Sequence, residues 1–338
     1  MSSTELEVRG LTRHFRVGNA VFARSRVHAV DDVSFSLRPG TITALVGESD
    51  SGKSTVARLL ARLYDPTSGQ VVFGDRDVAR DRRRRDVLRY RSQVQMIFQD
   101  PFGSLNPAKT IRHHLARPLR IHRIVPRSRV DETVHELLET VGLVPAARFA
   151  EKYPHELSGG QRQRVAIARV LAVEPRVVIA DEPISMLDVS IRIGILNLML
   201  DLKRERELAF LYVTHDLASA RYVADDVLVL YAGQIVEQGP ADEVLSNPLH
   251  PYTRLLLASV PDPSAGRRPE ITVRKGLAAA AVDPVDACRF LARCPLAVDV
   301  CSRITPPLVE ARPRQSARCH VTAPSPVIRE ESHADSAH

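Results

Sequence analysis

Hydrophobic residues along the chain follow two rhythms that take turns. Short, nearly unbroken apolar runs such as Ile42–Val46 and Val177–Ala180 alternate with stretches whose apolar positions recur at helical spacing. An unbroken run suits a strand covered on both faces, and its alternation with helices is the pattern of a parallel sheet with crossover helices. On this pattern the strands are Leu6–Arg9, Val27–Leu37, Ile42–Val46, Gln70–Phe73, Val94–Phe98, Val177–Ala180 and Ala209–Val213. Val227–Tyr231 and Gln234–Val236 read as a hairpin turned at Ala232-Gly233. Helices are predicted over Ser54–Leu63, Gln161–Leu171 and Ile191–Arg204. Between residues 103 and 165 the spacing turns helical, as at Val130, Val134, Leu137 and Leu138, which predicts an inserted helical subdomain. From Pro248 proline and alanine increase, so residues 251–321 read as a C-terminal extension of a unit spanning residues 5–250. Residues 322–338 are polar and are expected to be disordered.

Composition adds exclusions. The chain has 338 residues, 44% of them hydrophobic, which is ample for a buried core. No apolar run approaches the ~20 residues of a membrane span, and the first residues lack a charged segment followed by an apolar one. The expectation is a cytosolic chain whose membrane contacts come through partners. Net charge is +7, but the arginines are spread out, aromatics are only 5% and Trp is absent. That gives little support to nucleic acid as a partner. The run Arg80-Asp81-Arg82-Arg83-Arg84-Arg85-Asp86 reads as a solvated charged segment, with anionic lipid headgroups as a second reading. All four cysteines, Cys288, Cys294, Cys301 and Cys319, lie in the last quarter. Four clustered thiols in a reducing compartment point to a metal or cluster site more than to disulfides.

Two segments carry phosphate chemistry. Gly47-Glu48-Ser49-Asp50-Ser51-Gly52-Lys53-Ser54-Thr55 follows an apolar strand and opens a helix, the context a phosphate-binding loop requires. Its glycines let backbone N–H groups turn around a phosphate, the helix start adds its positive dipole end, Lys53 reaches the β- and γ-phosphates, and the Ser54 hydroxyl meets Mg²⁺. In the second segment, the strand Val177–Ala180 delivers Asp181 and Glu182 at its C-terminal edge. Asp181 is placed to hold Mg²⁺, and Glu182 to polarise an attacking water as general base.

Together with five further elements in a fixed order, these segments make the chain resemble the nucleotide-binding subunit of an ABC (ATP-binding cassette) transporter. Gln99 in Phe98-Gln99-Asp100-Pro101 resembles the Q-loop, which contacts Mg²⁺ and water. Leu157-Ser158-Gly159-Gly160-Gln161-Arg162 resembles the family signature, and Ser185-Met186-Leu187-Asp188 the D-loop. His215 in Val213-Thr214-His215-Asp216 resembles the switch histidine, and Phe15 the aromatic that stacks on adenine. The resemblance implies an α/β fold with a mixed-sheet phosphate-loop core, an N-terminal antiparallel β-subdomain, an inserted helical subdomain and a small Cys-containing extension. It also implies that Ser158, Gly159, Gly160 and Gln161 cap the γ-phosphate held by a second cassette. ATP then joins two cassettes, and hydrolysis parts them.

Asn247-Pro248-Leu249-His250-Pro251-Tyr252-Thr253-Arg254 and Gln99-Asp100-Pro101-Phe102-Gly103-Ser104-Leu105-Asn106-Pro107 narrow the resemblance to oligopeptide/dipeptide (and nickel) importer ATPases, as does the extended segment Arg16–Arg26. The implied partners are a second, non-identical cassette, two membrane permeases and an external solute-binding protein, with this subunit on the cytoplasmic face of the membrane. The cysteine spacing C-x5-C-x6-C-x17-C departs from paired zinc-ribbon spacing. Four thiolates can hold zinc or a 4Fe–4S cluster; the resemblance implies the cluster, and ordinary buried thiols are the third reading. Asp50 departs from the family's glycine. It either points to solvent or repels the nucleotide, which keeps a regulatory, weakened cassette as an alternative to a full ATPase. Ile184 and Met186 replace the usual Thr or Val and Ala with other apolar side chains.

Overall fold

A computed structural model describes residues 5–16, 25–259 and 282–324. Residues 17–24 of the Arg16–Arg26 segment, 260–281 of the extension and 325–338 of the polar tail lie outside the described residues.

Among the described residues, twelve strands form two sheets. In chain order they are β1 (Leu6–Arg16), β2 (Arg26–Leu37), β3 (Ile42–Val46), β4 (Ser68–Phe73), β5 (Arg76–Asp77), β6 (Val94–Ile97), β7 (Val177–Asp181), β8 (Ala209–Thr214), β9 (Asp226–Tyr231), β10 (Gln234–Pro240), β11 (Val309–Arg312) and β12 (Gln315–Ala317). The smaller sheet is antiparallel, in the order β2-β1-β4-β5. The larger runs β11-β12-β10-β9-β3-β8-β7-β6, and its centre, β9 to β6, is parallel.

Side-chain alternation explains how the layers stack. Every residue of β3, β7 and β8 is buried, because both faces of the large sheet are covered. Ile42, Ala44 and Val46 face one core with Val178, Ala180, Phe210 and Tyr212. Leu45 faces the other core with Ile179, Leu211 and Val213. The first core is completed by Ile111, Leu115, Val134 and Leu138 from the helical insert. The second is completed by Leu6, Leu11, Val33 and Leu37 from the small sheet, and by Leu59 and Leu60 of the helix Lys53–Leu60.

Several elements differ in length from their sequence-based expectation. β1 continues to Arg16 because its register with β2 is irregular after Val8, which breaks the two-residue alternation. The helix after the phosphate loop stops at Leu60 rather than Leu63, since Arg62 is left-handed and turns its guanidinium back onto the Asp81 carbonyl. The helix predicted from Gln161 starts at Gly159, and that predicted from Ile191 runs from Val189 to Arg206. The arginine run straddles a turn and the helix Arg84–Gln93, and ion pairs join this region as Arg76–Asp86, Arg80–Asp77 and Arg82–Asp65.

The extension is woven into the body more closely than its composition suggests. The β11–β12 hairpin adds to the large sheet at β10, and Val282 bridges to Val27 on β2. Glu237 on β10, fully buried, accepts from the Leu249 and His250 N–H groups and from Gln315. His250 then caps the helix Pro251–Ala258, with its Nδ1 accepting from the Tyr252 N–H at 3.1 Å. Burial pushes this imidazole down from 6.5 to about 3. The unfolded chain therefore takes up the proton first as pH falls. Stability from neutral His250 is present above pH 6.5 and is lost towards pH 3, at no more than about 1.4 kcal/mol per pH unit. Asn keeps an acceptor for the cap and does not titrate. In urea unfolding at pH 7.5 and 5.5, roughly one unit either side of the usual imidazole value, His250→Asn is expected to lose less stability on acidification than the parent chain.

Candidate active site

Strands β3, β8, β7 and β6 stand side by side and parallel, so their C-terminal ends share one edge. Residue 47 follows β3, residue 215 follows β8, Asp181 closes β7, and Gln99 lies two residues past β6. Segments far apart in sequence therefore converge where ligands of α/β sheets sit.

Local geometry explains the loop after β3. Gly52 caps the helix Lys53–Leu60 with φ 105°, a left-handed conformation, and a Cβ there would lie 2.1 Å from the Ala29 carbonyl oxygen. Lys53 is buried, and its Nζ donates to the carbonyls of Gly47 (2.8 Å) and Glu48 (2.7 Å). An ammonium has three donors, so one remains. Burial lowers the Lys53 pKa, while Glu182, Asp181, Asp50 and Glu48 oppose that shift. Ser49 and Asp50 are exposed, Thr55 is half-buried, and the buried Ser51 hydroxyl has no hydrogen-bond partner among the described residues. Asp50 is left-handed (φ 61°), which is where glycine would be at ease. Its exposure fits the solvent-facing reading, although its charge still acts on Lys53.

Ser54 Oγ donates to Asp181 Oδ1 at 3.1 Å. Burial raises the Asp181 pKa, and neighbouring Glu182 adds to the rise. Adjacent hydroxyl and carboxylate oxygens, with a second carboxylate nearby, form a hard-oxygen set suited to Mg²⁺. Glu182 is left-handed too (φ 47°), held by its N–H to the Val213 carbonyl at 2.9 Å. Its carboxylate joins two side chains: Gln99 Nε2 donates to Oε2 at 3.0 Å, and His215 Nδ1 lies 3.0 Å from Oε1. Gln99 and His215 thus fix the direction of the Glu182 carboxylate.

The remaining predicted residues lie elsewhere. Ser158 caps the helix Gly159–Leu171 in a reciprocal box: its Oγ accepts from the Gln161 N–H, and Gln161 Oε1 accepts from the Ser158 N–H. Gly160 is buried against Ile191, where a Cβ would meet the side chain at 2.5 Å. Asp188 caps the helix Val189–Arg206 and is exposed beside exposed Met186 and Val189. Phe15, on β1, meets Tyr64 edge-on at 5.7 Å and lies under the Arg13 guanidinium at 4.7 Å. Next to it, His14 stacks on His28 at 3.6 Å.

Sequence reasoning missed what grips the loop from outside. The Glu48 N–H donates to Tyr252 Oη at 2.8 Å, and the Glu48 carboxylate takes both Nη atoms of Arg293 at 2.8 Å. Arg289 likewise reaches Asp31 and the Ala232 carbonyl. Both arginines adjoin cysteines: Arg289 follows Cys288, and Arg293 precedes Cys294. Cys301 and Cys319 are buried, Cys288 and Cys294 half-buried, and the Cys288 N–H donates to the Cys301 carbonyl. Burial pushes the Cys288 thiol up to about 11, and the other three thiols add to the rise.

A phosphate loop, a hydroxyl–carboxylate pair and an oriented general base at one sheet edge define an ATPase cassette. The ABC transporter family profile matches residues 30–185, and that of the C-terminal region of oligopeptide/dipeptide transporters matches residues 236–301. The chain is 43% identical over 322 residues to the oligopeptide transport ATP-binding protein AppF of Bacillus subtilis, covering 94% of this chain and 97% of that one. It is 43% identical over 325 residues to the di/tripeptide transport ATP-binding protein DppF of Pseudomonas aeruginosa, covering 94% and 97%. Its fold is similar to that of the ATP-binding cassette MJ0796, a dimer in a post-hydrolysis state with ADP and Pi. That likeness has a TM-score of 0.62 at 27% identity and covers 70% of this chain and 98% of that one. The chain belongs to the ABC transporter ATP-binding proteins of the oligopeptide/dipeptide type, and it is an ATPase. No helix among the described residues is long and apolar enough to cross a membrane.

Proposed function

We propose that this chain powers import of di- or oligopeptides as one of two cassettes beneath a pair of membrane permeases, at the cytoplasmic face. The observation that carries the ATPase chemistry is the Gln99–Glu182–His215 arrangement beside Ser54, Asp181 and Lys53. Lys53 and the N–H groups of residues 47–55 hold the β- and γ-phosphates; Ser54, Gln99 and Asp181 would hold Mg²⁺, which would neutralise phosphate charge when bound. Water attacks the γ-phosphorus as the bond from that phosphorus to the β–γ bridging oxygen breaks and ADP leaves, and the water's proton passes to Glu182, which Gln99 and His215 orient. Phe15 stacks on the base. Ser158, Gly159, Gly160, Gln161 and Asp188 complete the site of the other cassette, which is a non-identical subunit, and the Gln99 region relays closure to the permeases. Intact Lys53, Glu182 and His215 favour this reading over a weakened regulatory cassette. The peptide cargo is supported by the match at residues 236–301 and by the printed names of the relatives.

The four cysteines are proposed to hold a 4Fe–4S cluster. The sequence spacing of the four departs from the paired spacing of zinc ribbons. Cys301 and Cys319 are buried, Cys288 and Cys294 half-buried, and the Cys288 N–H reaches the Cys301 carbonyl. Four thiolates drawn from one small fold fit a polynuclear iron–sulfur group. When bound, the cluster staples an extension that has little core of its own.

An anaerobic affinity purification from detergent-solubilised membranes, with mass spectrometry and iron and labile-sulfide analysis, tests both readings. Two permeases, a second cassette, and iron with sulfide in equal amounts are the expected result. Recovery on DNA or ribosomes without a membrane protein would overturn the importer. Nickel rather than peptide uptake by the recovered assembly would replace the cargo, and absent iron and sulfide would remove the cluster.

A further inference from the structure

Glu48, the second residue of the phosphate loop, is held through both its main chain and its side chain by residues more than 200 positions away. The Tyr252 hydroxyl takes its N–H. The Arg293 guanidinium takes its carboxylate two-pronged, at 2.8 Å on each side. Such fork-to-fork pairs fix direction as well as charge. The fork is itself held: Arg293 is only 11% exposed, and its guanidinium lies 5.8 Å from the ring centres of Tyr231 and Phe290. Those rings pack with Tyr252 in one aromatic cluster, at 4.5 to 5.6 Å. The peptide held in this way is also where Lys53 rests, since Nζ donates to the Glu48 carbonyl. A chain of contacts thus runs from Arg293 through Glu48 to Lys53.

We propose that Arg293 is a positioning residue for ATP: by holding Glu48 it keeps the phosphate loop and Lys53 in the shape that receives the phosphates, and it turns a carboxylate away from them. The inference rests on the reading of residues 47–55 as the nucleotide site. Without Arg293, the Glu48 carboxylate swings free beside that site and the loop keeps only its Tyr252 anchor. The extension then sets nucleotide affinity without touching nucleotide.

The test is MgATP affinity of the full-length chain, read with a fluorescent ATP analogue, in a double-mutant cycle. Arg293→Ala is expected to weaken binding about tenfold. Arg293→Lys, which keeps the charge between the rings but not the fork, should weaken it about threefold. In a Glu48→Ala background, Arg293→Ala should have no further effect. An unchanged affinity in both Arg293 variants overturns the proposal. So does a loss of equal size in the Glu48→Ala background, because Arg293 would then act only by packing the extension. Lys53→Ala separates the two layers: if it too leaves binding intact, the nucleotide site itself is wrongly assigned; if it abolishes binding while the Arg293 variants do not, only the clamp falls.

Discussion

Glu182→Gln is expected to lower ATP turnover between a hundredfold and ten-thousandfold while leaving MgATP affinity within about twofold. Removing a general base costs on the order of 10²–10⁴ in rate. The amide is nearly isosteric, so the site around it keeps its shape. It can still accept from Gln99 through one oxygen, but it no longer takes a proton from water. The strained backbone at Glu182, φ 47°, is anchored by its N–H to the Val213 carbonyl and does not depend on the carboxylate. Single-turnover hydrolysis and nucleotide titration on the same preparation measure both quantities. Full turnover in the variant would show that Glu182 is not the base.

Gly52→Ala is expected to abolish nucleotide binding at ordinary concentrations without unfolding the protein. Two penalties coincide at this residue. A side chain disfavours its left-handed φ of 105° by about 1–2 kcal/mol. In addition, the new Cβ would sit 2.1 Å from the Ala29 carbonyl oxygen, a main-chain atom of β2 that has to shift with its strand. A combined penalty of about 3 kcal/mol, relieved by moving the loop, corresponds to roughly a hundredfold in affinity. The loss falls on the loop because β3 and the helix after it are pinned by two cores. Thermal unfolding with and without MgATP checks this: the parent gains stability from nucleotide by mass action, and the variant should not. A variant that still gains would mean the loop tolerates the shift.

Much of this was legible in the sequence because it is local. The run Ile42–Val46 had to be covered on both faces, so a central strand followed, and the loop after it announced itself by glycines and lysine at fixed spacing. The same holds for Val177–Asp181 and for the Ala232-Gly233 turn. Irregular pairing hid the far half of β1, since alternation fails where register shifts. Nothing local signalled that Gln315–Ala317 would extend the large sheet, or that Glu237 would be buried beneath Leu249 and His250. Arg293 was one arginine among many, in a segment read mainly for its cysteines. Its role as a partner of Glu48 depends on a contact spanning 245 residues, which only the folded chain reveals.

That same span has a consequence for synthesis. Ribosomes add about 5–20 residues each second, so the phosphate loop emerges about 12 to 50 s before the arginine that will hold it, 245 residues later. Throughout that interval a nascent cassette carries its lysine, its glycines and a Glu48 carboxylate without its arginine. The side-chain grip on the loop closes only once residue 293 has been made. Translation through the extension is thereby written into the nucleotide pocket: a chain that stops between residues 254 and 293 keeps every motif of the ATPase and lacks the arginine that steadies Glu48.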